Sequence, residues 1–322
     1  LTLTEETLGK GAKSLVWLVY IFLFFSLIIA YVSGGGEILV NLSQGTLNPA
    51  LACFLFVALF LPVIFKGTAV VDKINAIFMF VLIVSFFFFI FVGSFSVNLD
   101  NLNHNNSWAS LQGLPVVLTA FGFQGLVPTL VEYFNRDRKA LISSILLGSL
   151  LSFIIYVIWI FLILGIVPLQ GADGLLALSA QGKTAIGTLF KVTRNPLVFS
   201  FGQAFGLAAL VTSFLGVALP LVDFLADGLK AKKTTKNKLW LVSLVLLPPL
   251  GGVLIDPSIF LTALSTAGAY GGTVILGFLP IAIVWVGREK FKGESIIKGR
   301  PILVLAFIAI LFVAAVEVFK LG

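Results

Sequence analysis

Charged side chains are scarce in this chain of 322 residues: Asp, Glu, Lys and Arg make up only 11% of it. A soluble domain carries about 25% charged residues, so the composition excludes an ordinary soluble protein. There is one histidine, His104, and one cysteine, Cys53. The chain therefore cannot form an intramolecular disulfide, and it offers no His or Cys cluster that would bind a metal.

Acidic residues avoid the middle of the apolar segments. The fourteen Asp and Glu residues lie in polar loops or near the ends of those segments, as Glu37 does. A membrane enzyme needs nucleophiles, bases or metal ligands within reach of one another. We therefore predict no catalytic residue, no metal and no cofactor. A cavity without fixed charge favours a solute that is neutral overall, such as a zwitterion.

Apolar residues, in contrast, are abundant, at 59% of the chain with 32 phenylalanines. A helix needs about 20 apolar residues to cross a bilayer. Stretches of about that length predict an all-α polytopic membrane protein with nine spans in the lipid bilayer, at about 14–36, 50–65, 70–95, 113–133, 140–167, 197–222, 238–255, 258–286 and 301–319. The run Leu247-Pro248-Pro249 predicts a helix break in the seventh span.

Lysine and arginine predict the orientation of these spans. With nine spans and residue 1 in the cytoplasm, 17 of the 21 basic residues lie on the cytoplasmic side and 4 outside. This asymmetry is what the positive-inside rule requires. The net charge of +7 is then explained by loops that adjoin the membrane surface, and we predict no nucleic-acid partner.

The segment 113–133 contains the most informative motif, Phe121-Gly122-Phe123-Gln124-Gly125. Glycines at this position predict an interrupted helix at membrane depth. Such a break leaves peptide groups that lipid cannot satisfy, so it is tolerated where it faces a polar cavity or a bound solute. Many transporters bind their solutes at broken helices of this kind. The alternative is a kinked structural helix whose glycines allow close packing.

Four strings identify a resemblance to a known family: AYVSGGGE at 30–37, FGFQ at 121–124, TSFLGVAL at 212–219 and DFLADG at 223–228. They resemble the hydroxy/aromatic amino acid permeases, and most closely the tyrosine-specific transport proteins, including chlamydial-type members. The resemblance implies one transmembrane transporter domain with the inverted five-helix repeat of the leucine-transporter-like fold. That family has eleven spans, so we expect the chain to be N-terminally truncated, with the first two family helices missing.

The resemblance also assigns roles to individual residues. It implies that Phe121, Gly122, Phe123, Gln124 and Gly125 face the substrate. Tyr31 would approach the same cavity, and Gly34 would allow close helix contact beside it. For Tyr31 the alternative is an anchor in the headgroup region.

Thr212 and Ser213 match the place where sodium-coupled relatives of the fold bind their cation. A hydroxyl pair can equally bond to its own backbone or to a neighbouring helix.

These expectations combine into one function. We predict symport of tyrosine, coupled to a proton or alternatively to sodium, across the bacterial cytoplasmic (inner) membrane. The alternatives are a related permease for tryptophan or for serine and threonine, and a truncated membrane protein that transports nothing. The sequence does not predict an oligomeric state.

Overall fold

The computed structural model describes residues 2–104, 106–123, 127–231, 234–291 and 300–320. It is 85% helical, and no strand occurs among the described residues, so the predicted all-α class is confirmed. Within these ranges the α-helices are α1 Thr2–Leu8, α2 Lys10–Leu42, α3 Pro49–Lys66, α4 Thr68–Gly93, α5 Ser107–Leu111, α6 Leu114–Ala120, α7 Val127–Tyr133, α8 Arg138–Ile166, α9 Leu175–Ala180, α10 Leu189–Thr193, α11 Pro196–Gly228, α12 Thr235–Ile255, α13 Phe260–Thr266, α14 Leu279–Phe291 and α15 Arg300–Lys320.

In the described part of the chain, seven helical stretches are long and apolar enough to cross a membrane. They are Lys10–Leu42, Pro49–Lys66, Thr68–Ser96, Arg138–Ile166, Pro196–Gly228, Thr235–Ile255 and Phe260–Arg288, and each coincides with a predicted span.

The predicted count of nine spans is not confirmed. The segment 113–133 forms two helices of seven residues each, α6 and α7, and neither is long enough to cross alone. The apolar stretch of α15, Arg300–Val316, falls in the range of 10–17 residues and is shorter than each of the seven membrane-length helices. The orientation of residue 1 therefore stays a prediction from the distribution of lysine and arginine.

Two of the long helices begin at an Asn-Pro pair. Asn48 accepts the backbone N–H groups of Ala50 and Leu51 at 2.9 and 3.3 Å. Asn195 accepts that of Leu197 at 2.9 Å. Asparagine satisfies the free donors of the first turn, and a proline at the first helical position loses no helical hydrogen bond.

Prolines do not interrupt α12, so the predicted break at Leu247-Pro248-Pro249 is wrong. The helix continues from Thr235 to Ile255 through both prolines. α3 and α11 likewise contain Pro62 and Pro220 within them. In a membrane bundle, neighbouring helices and small local adjustments satisfy the carbonyl groups that a proline leaves free, so a proline does not have to end the helix.

The chain divides into two compact units. The first unit comprises Leu1–Leu23, Asn105–Ile154 and Leu264–Gly322, and the second comprises Phe24–His104 and Ile155–Ala263. Three of the helices, α2, α8 and α13, have residues in both units.

Aromatic side chains hold the second unit together where α4 packs along α11. Phe88 stacks on Phe201 with ring centroids 4.8 Å apart, and Phe205 contacts Phe86 at 5.4 Å and Trp159 at 4.5 Å. Helices in lipid associate through packing contacts, because lipid tails are as apolar as the side chains. Aromatic pairs contribute about 0.5–1.5 kcal/mol each beyond simple burial.

A π-helix is the unusual element of the first unit. It spans Ala267–Phe278 and lies between α13 and α14, in what the sequence predicts as the simple span 258–286. A π-helix is defined by backbone hydrogen bonds that span five residues. Within it, the Thr273 hydroxyl donates to the Gly268 carbonyl at 3.2 Å. π-Helical turns are rare and often lie at functional sites.

Candidate functional site: an interrupted helix and a polar cavity

The predicted interruption of the segment 113–133 is present. α6 ends at Ala120, residues Phe121, Gly122 and Phe123 are not helical, and α7 begins at Val127. Gln124 and Gly125 lie outside the described residues. The role of these five residues in binding a substrate stays a prediction.

Two of the described N–H groups of the break have local partners. Gly122 donates to the Thr119 carbonyl and Phe123 to the Phe121 carbonyl, both at 2.9 Å. This differs from the expectation that the N–H groups of the break are free. Both bonds end on carbonyl oxygens, one in the last turn of α6 and one in the break itself. Carbonyl oxygens at a helix C-terminus suit a positive group such as an ammonium.

Glycines bring the π-helix against α6. A Cβ atom at Gly268 would lie 2.3 Å from the Pro115 carbonyl oxygen, and one at Gly272 would lie 3.1 Å from the Thr119 methyl group. At the break itself, a Cβ atom on Gly122 would lie 2.9 Å from Leu276 of the π-helix. The two irregular backbone segments of the first unit are therefore in direct contact, and only glycine fits between them.

An apolar cavity of about 480 Å³ adjoins the π-helix in the first unit. Its walls include Leu18, Val19 and Phe22 of α2, together with Tyr270 and Phe278 of the π-helix. No acidic or basic residue lines it among the described residues, so it suits an apolar or aromatic group.

In the second unit, two residues that the sequence assigns to different sites lie beside each other. The Ser213 hydroxyl of α11 is close to the Tyr31 hydroxyl of α2. The Thr212 hydroxyl instead donates to the Ala209 carbonyl of its own helix at 3.1 Å. The pair Thr212-Ser213 thus combines one hydroxyl bonded to its own backbone with one that lies beside a tyrosine. Its role as a cation site stays a prediction.

The glycines that follow Tyr31 make room for neighbouring side chains. A Cβ atom at Gly34 would lie 3.1 Å from the Phe260 ring, and one at Gly35 would lie 2.4 Å from the Phe56 ring. Gly36 comes equally close to Cys53, at 2.3 Å from the sulfur. These approaches agree with the close helix contact expected at Gly34. A contact between Gly34 and a substrate stays a prediction.

Sequence reasoning missed Glu37. It lies in α2 five residues before the helix ends, and its carboxylate accepts the Thr184 N–H at 2.9 and 3.0 Å. The Thr184 hydroxyl donates to the same carboxylate at 3.0 Å. The partners are 147 residues apart in the chain. The available signal was an acid that directly follows three glycines in an apolar helix.

Glu37 lines a polar cavity of about 730 Å³ in the second unit, which we call the Glu37 cavity. Short helices of the segment 168–195 form one side of it. Four charged side chains line it. Besides Glu37, these are Lys183, which donates to Gln181 at 2.9 Å, and the ion pair of Lys191 with Asp173 at 3.0 Å.

Three amides of the second unit have unsatisfied buried atoms among the described residues. They are the Nδ2 atom of Asn41, which lines the cavity, the Oδ1 atom of Asn75 in α4, and both polar atoms of Gln203 in α11, whose side chain is 2% exposed. Buried polar groups usually have partners, so these amides are exceptions.

Metal binding finds no support in the described ranges: no three of their His, Cys, Asp and Glu side chains are grouped to hold a metal ion. Each unit thus has its own candidate groups: main-chain groups at an interrupted helix in the first, and polar side chains in the second.

Comparison with known proteins relates this arrangement to one family. The profile described as the tryptophan/tyrosine permease family matches residues 1–317. The chain is 32% identical to tyrosine-specific transport system 1 of Haemophilus influenzae, over 89% of this chain and 72% of that protein. It is 29% identical to the tryptophan-specific transport protein of Pseudomonas aeruginosa, over 95% of this chain and 76% of that protein. With the low affinity tryptophan permease of Escherichia coli it shares 25% identity, over 91% and 73%. No solved structure matches the chain.

Proposed function

Because the chain belongs to the tryptophan/tyrosine permease family, we propose that it carries tyrosine across the membrane by cation-coupled symport. It is a multi-pass protein of the bacterial inner membrane, and its relatives are transport proteins rather than enzymes. The substrate and the coupling ion are the proposed parts. The inverted five-helix repeat is the proposed fold, since it would produce alternating access to a site at a broken helix.

The interruption between Ala120 and Val127 is the observation that carries the proposal. Non-helical backbone within an apolar segment is stable where protein, water or a solute satisfies its polar groups. The carbonyl end of α6 suits the ammonium of an amino acid. Phe121 and Phe123 flank the same point and offer an aromatic surface to the side chain of the substrate. Gln124 and Gly125 complete the proposed contact.

Tyrosine is preferred over tryptophan because the tyrosine-specific relative shares more of its sequence with this chain, 32% against 29% and 25%. A related permease for tryptophan, or for serine and threonine, is the alternative. One methylene or hydroxyl group changes discrimination by about 1–3 kcal/mol in an apolar pocket, so small differences in lining residues decide between such substrates.

In the second unit, Tyr31 and Gly34 are proposed substrate contacts, and Thr212 and Ser213 are proposed cation ligands. The closeness of the Tyr31 and Ser213 hydroxyls supports treating these positions as one polar cluster within that unit. A proton is the preferred coupling ion. Sodium is the alternative, and it would need oxygen ligands beyond these two hydroxyls.

Uptake by proteoliposomes tests the proposal. We expect labelled tyrosine to accumulate when a proton gradient is imposed, and unlabelled tyrosine to compete better than tryptophan, serine or threonine. Phe123→Ala and Gln124→Ala should each reduce uptake while leaving the amount of inserted protein unchanged. Phe134→Ala, beyond the end of α7, is the matched control and should transport normally.

Three other results are informative. Accumulation that follows a sodium gradient would assign the coupling to sodium. Better competition by tryptophan would assign the chain to that substrate. Absence of uptake of any of these amino acids under either gradient would favour a membrane protein that transports nothing, and would overturn the proposal.

A further inference from the structure

We propose that the Glu37 cavity of the second unit is a separate binding site for an amino acid zwitterion. The choice of solute rests on the proposed function, whereas the site is argued from the cavity itself. Tyr31 and Gly34, which the sequence assigns to substrate binding in this unit, do not line it.

The charges of the cavity match a zwitterion. Two carboxylates, Glu37 and Asp173, and two ammonium groups, Lys183 and Lys191, line it, so their formal charges cancel. A free amino acid carries one group of each sign. The ammonium of the solute would bind a carboxylate and its carboxylate would bind a lysine, and such charge-assisted hydrogen bonds are about twice as strong as neutral ones.

Glu37 is held ready for such a contact. Its two oxygens share the Thr184 N–H, at 2.9 and 3.0 Å, and one of them also accepts the Thr184 hydroxyl at 3.0 Å. A carboxylate has about four acceptor positions, so it retains capacity for an ammonium group while Thr184 fixes its direction. A group positioned in advance loses less freedom on binding than a mobile one, which favours affinity.

Gly187 leaves space beside that carboxylate. A Cβ atom on Gly187 would lie 3.5 Å from a Glu37 oxygen and 3.0 Å from the unsatisfied Nδ2 atom of Asn41. Any larger residue would fill the gap next to both polar groups. The cavity thus has an acceptor and an amide donor close together at the same wall.

The remaining walls can receive a side chain. Val40, Pro49, Leu178 and Pro257 give the cavity apolar surface, and its volume of about 730 Å³ lies within the range of about 300–1,000 Å³ found for sites of small ligands. A free inorganic cation fits less well, because Lys183 and Lys191 would repel it and it would need several more oxygen ligands.

Alkylation of a single introduced thiol tests the site directly. Gln181 is exposed and lines the cavity, so Gln181→Cys reports on its occupancy. The only native cysteine, Cys53, is replaced by alanine in every variant. The protein is reconstituted into proteoliposomes, and the rate of reaction with a maleimide is measured against the concentration of tyrosine. Tyramine lacks the carboxylate and 3-(4-hydroxyphenyl)propionate lacks the ammonium, and both serve as comparison solutes.

We expect tyrosine to slow the alkylation and each comparison solute to protect more weakly. Glu37→Gln should raise the tyrosine concentration for half-protection by about tenfold or more, the factor expected from one charge-assisted hydrogen bond. Glu6→Gln, the same change at an exposed residue of the first unit, should leave protection as it is. Phe123→Ala should reduce uptake but leave protection intact, since the site is separate.

Two outcomes overturn this inference and leave the proposed function intact. One is normal uptake of tyrosine without protection of the thiol. The other is an unchanged tyrosine concentration for half-protection in Glu37→Gln. Loss of protection together with uptake in Phe123→Ala also overturns it, because the thiol would then report on the site at the broken helix. If the protein neither takes up tyrosine nor is protected by it, the proposed function fails and the inference fails with it.

Discussion

The two units of this permease offer polar groups of different kinds. In the first unit, the irregular elements are backbone: a helix interrupted after Ala120 and a π-helix over Ala267–Phe278. In the second unit the longest elements are regular, such as α4 of 26 residues and α11 of 33. Its polar features are side-chain pairs, Tyr31 with Ser213 and Glu37 with Thr184.

The two units thus present polar groups in two different ways, one through the main chain and one through side chains. Main-chain groups can be exposed to a solute only where a helix stops, and stopping a helix sacrifices its regular packing. Side-chain pairs need the opposite, a regular frame that keeps both partners in register. Each unit therefore has the backbone that its own polar groups require. The following predictions test this comparison, beginning with the largest expected effect.

The contact between the π-helix and α6 is the most sensitive point of the first unit. Gly268→Ala places a methyl group 2.3 Å from the Pro115 carbonyl oxygen, so the short helix α6 must move. We expect tyrosine uptake to fall by about tenfold or more, which corresponds to about 1.4 kcal/mol of lost binding. Gly148→Ala in α8 is the control, because nothing lies within 4 Å of its Cβ position. Equal uptake in the two variants would contradict the role of this contact.

In the second unit, adding a side chain at a close helix contact should lower the free energy of unfolding. Gly36→Ala would bring a methyl group 2.3 Å from the Cys53 sulfur and 3.0 Å from its backbone nitrogen. Overpacking of this kind costs about 1–3 kcal/mol in free energy of unfolding. Gly216→Ala in α11 has free space and should gain about 0.5–1 kcal/mol. Unfolding in detergent micelles measures both, and a stabilised Gly36→Ala protein would show that α2 and α3 are less tightly packed than described.

Replacing the buried amide of Gln203 should, in contrast, raise the free energy of unfolding. Its nitrogen and its oxygen both lack partners among the described residues, so Gln203→Leu should stabilise the protein by about 1 kcal/mol. Gln170→Leu, at an exposed position, should change the free energy of unfolding little. Destabilisation by Gln203→Leu would mean that the amide binds something, such as water or a solute, and that the second unit contains another polar site.

The smallest predicted effect concerns Tyr31 and Ser213. A double-mutant cycle of Tyr31→Phe with Ser213→Ala should give a coupling energy of about 0.6 kcal/mol, the average for hydrogen bonds between membrane helices. The same cycle with Thr212→Ala should give a value near zero, because the Thr212 hydroxyl donates to its own helix. If Thr212 couples to Tyr31 as strongly as Ser213 does, the described pairing is wrong.

Local features of this fold could be predicted from the sequence. Hydropathy and length were sufficient for seven helices, because each apolar stretch carries its own signal. The break after Ala120 was predicted because glycine between two phenylalanines weakens a helix wherever it occurs. The close approach of Gly34 to its neighbours follows equally from the lack of a side chain.

Features that depend on distant residues could not be predicted. Glu37 was assigned to a span end, and its partner Thr184 lies 147 residues further along the chain. The π-helix shares its apolar composition with any α-helical span, and its glycines approach residues that are distant in the chain, as Gly268 approaches Pro115. The prolines of α12 were expected to break the helix because local rules omit the neighbouring helices that stabilise it.

The central claim is that the transported amino acid contacts the interruption after Ala120. The most direct measurement is maleimide alkylation of Phe123→Cys, in a Cys53→Ala background, with and without tyrosine in proteoliposomes. We predict that the introduced thiol reacts, and that tyrosine slows the reaction in the same concentration range that supports uptake. The claim would be contradicted if the thiol never reacts. It would also be contradicted if tyrosine leaves the rate of alkylation unchanged in a protein that still transports tyrosine.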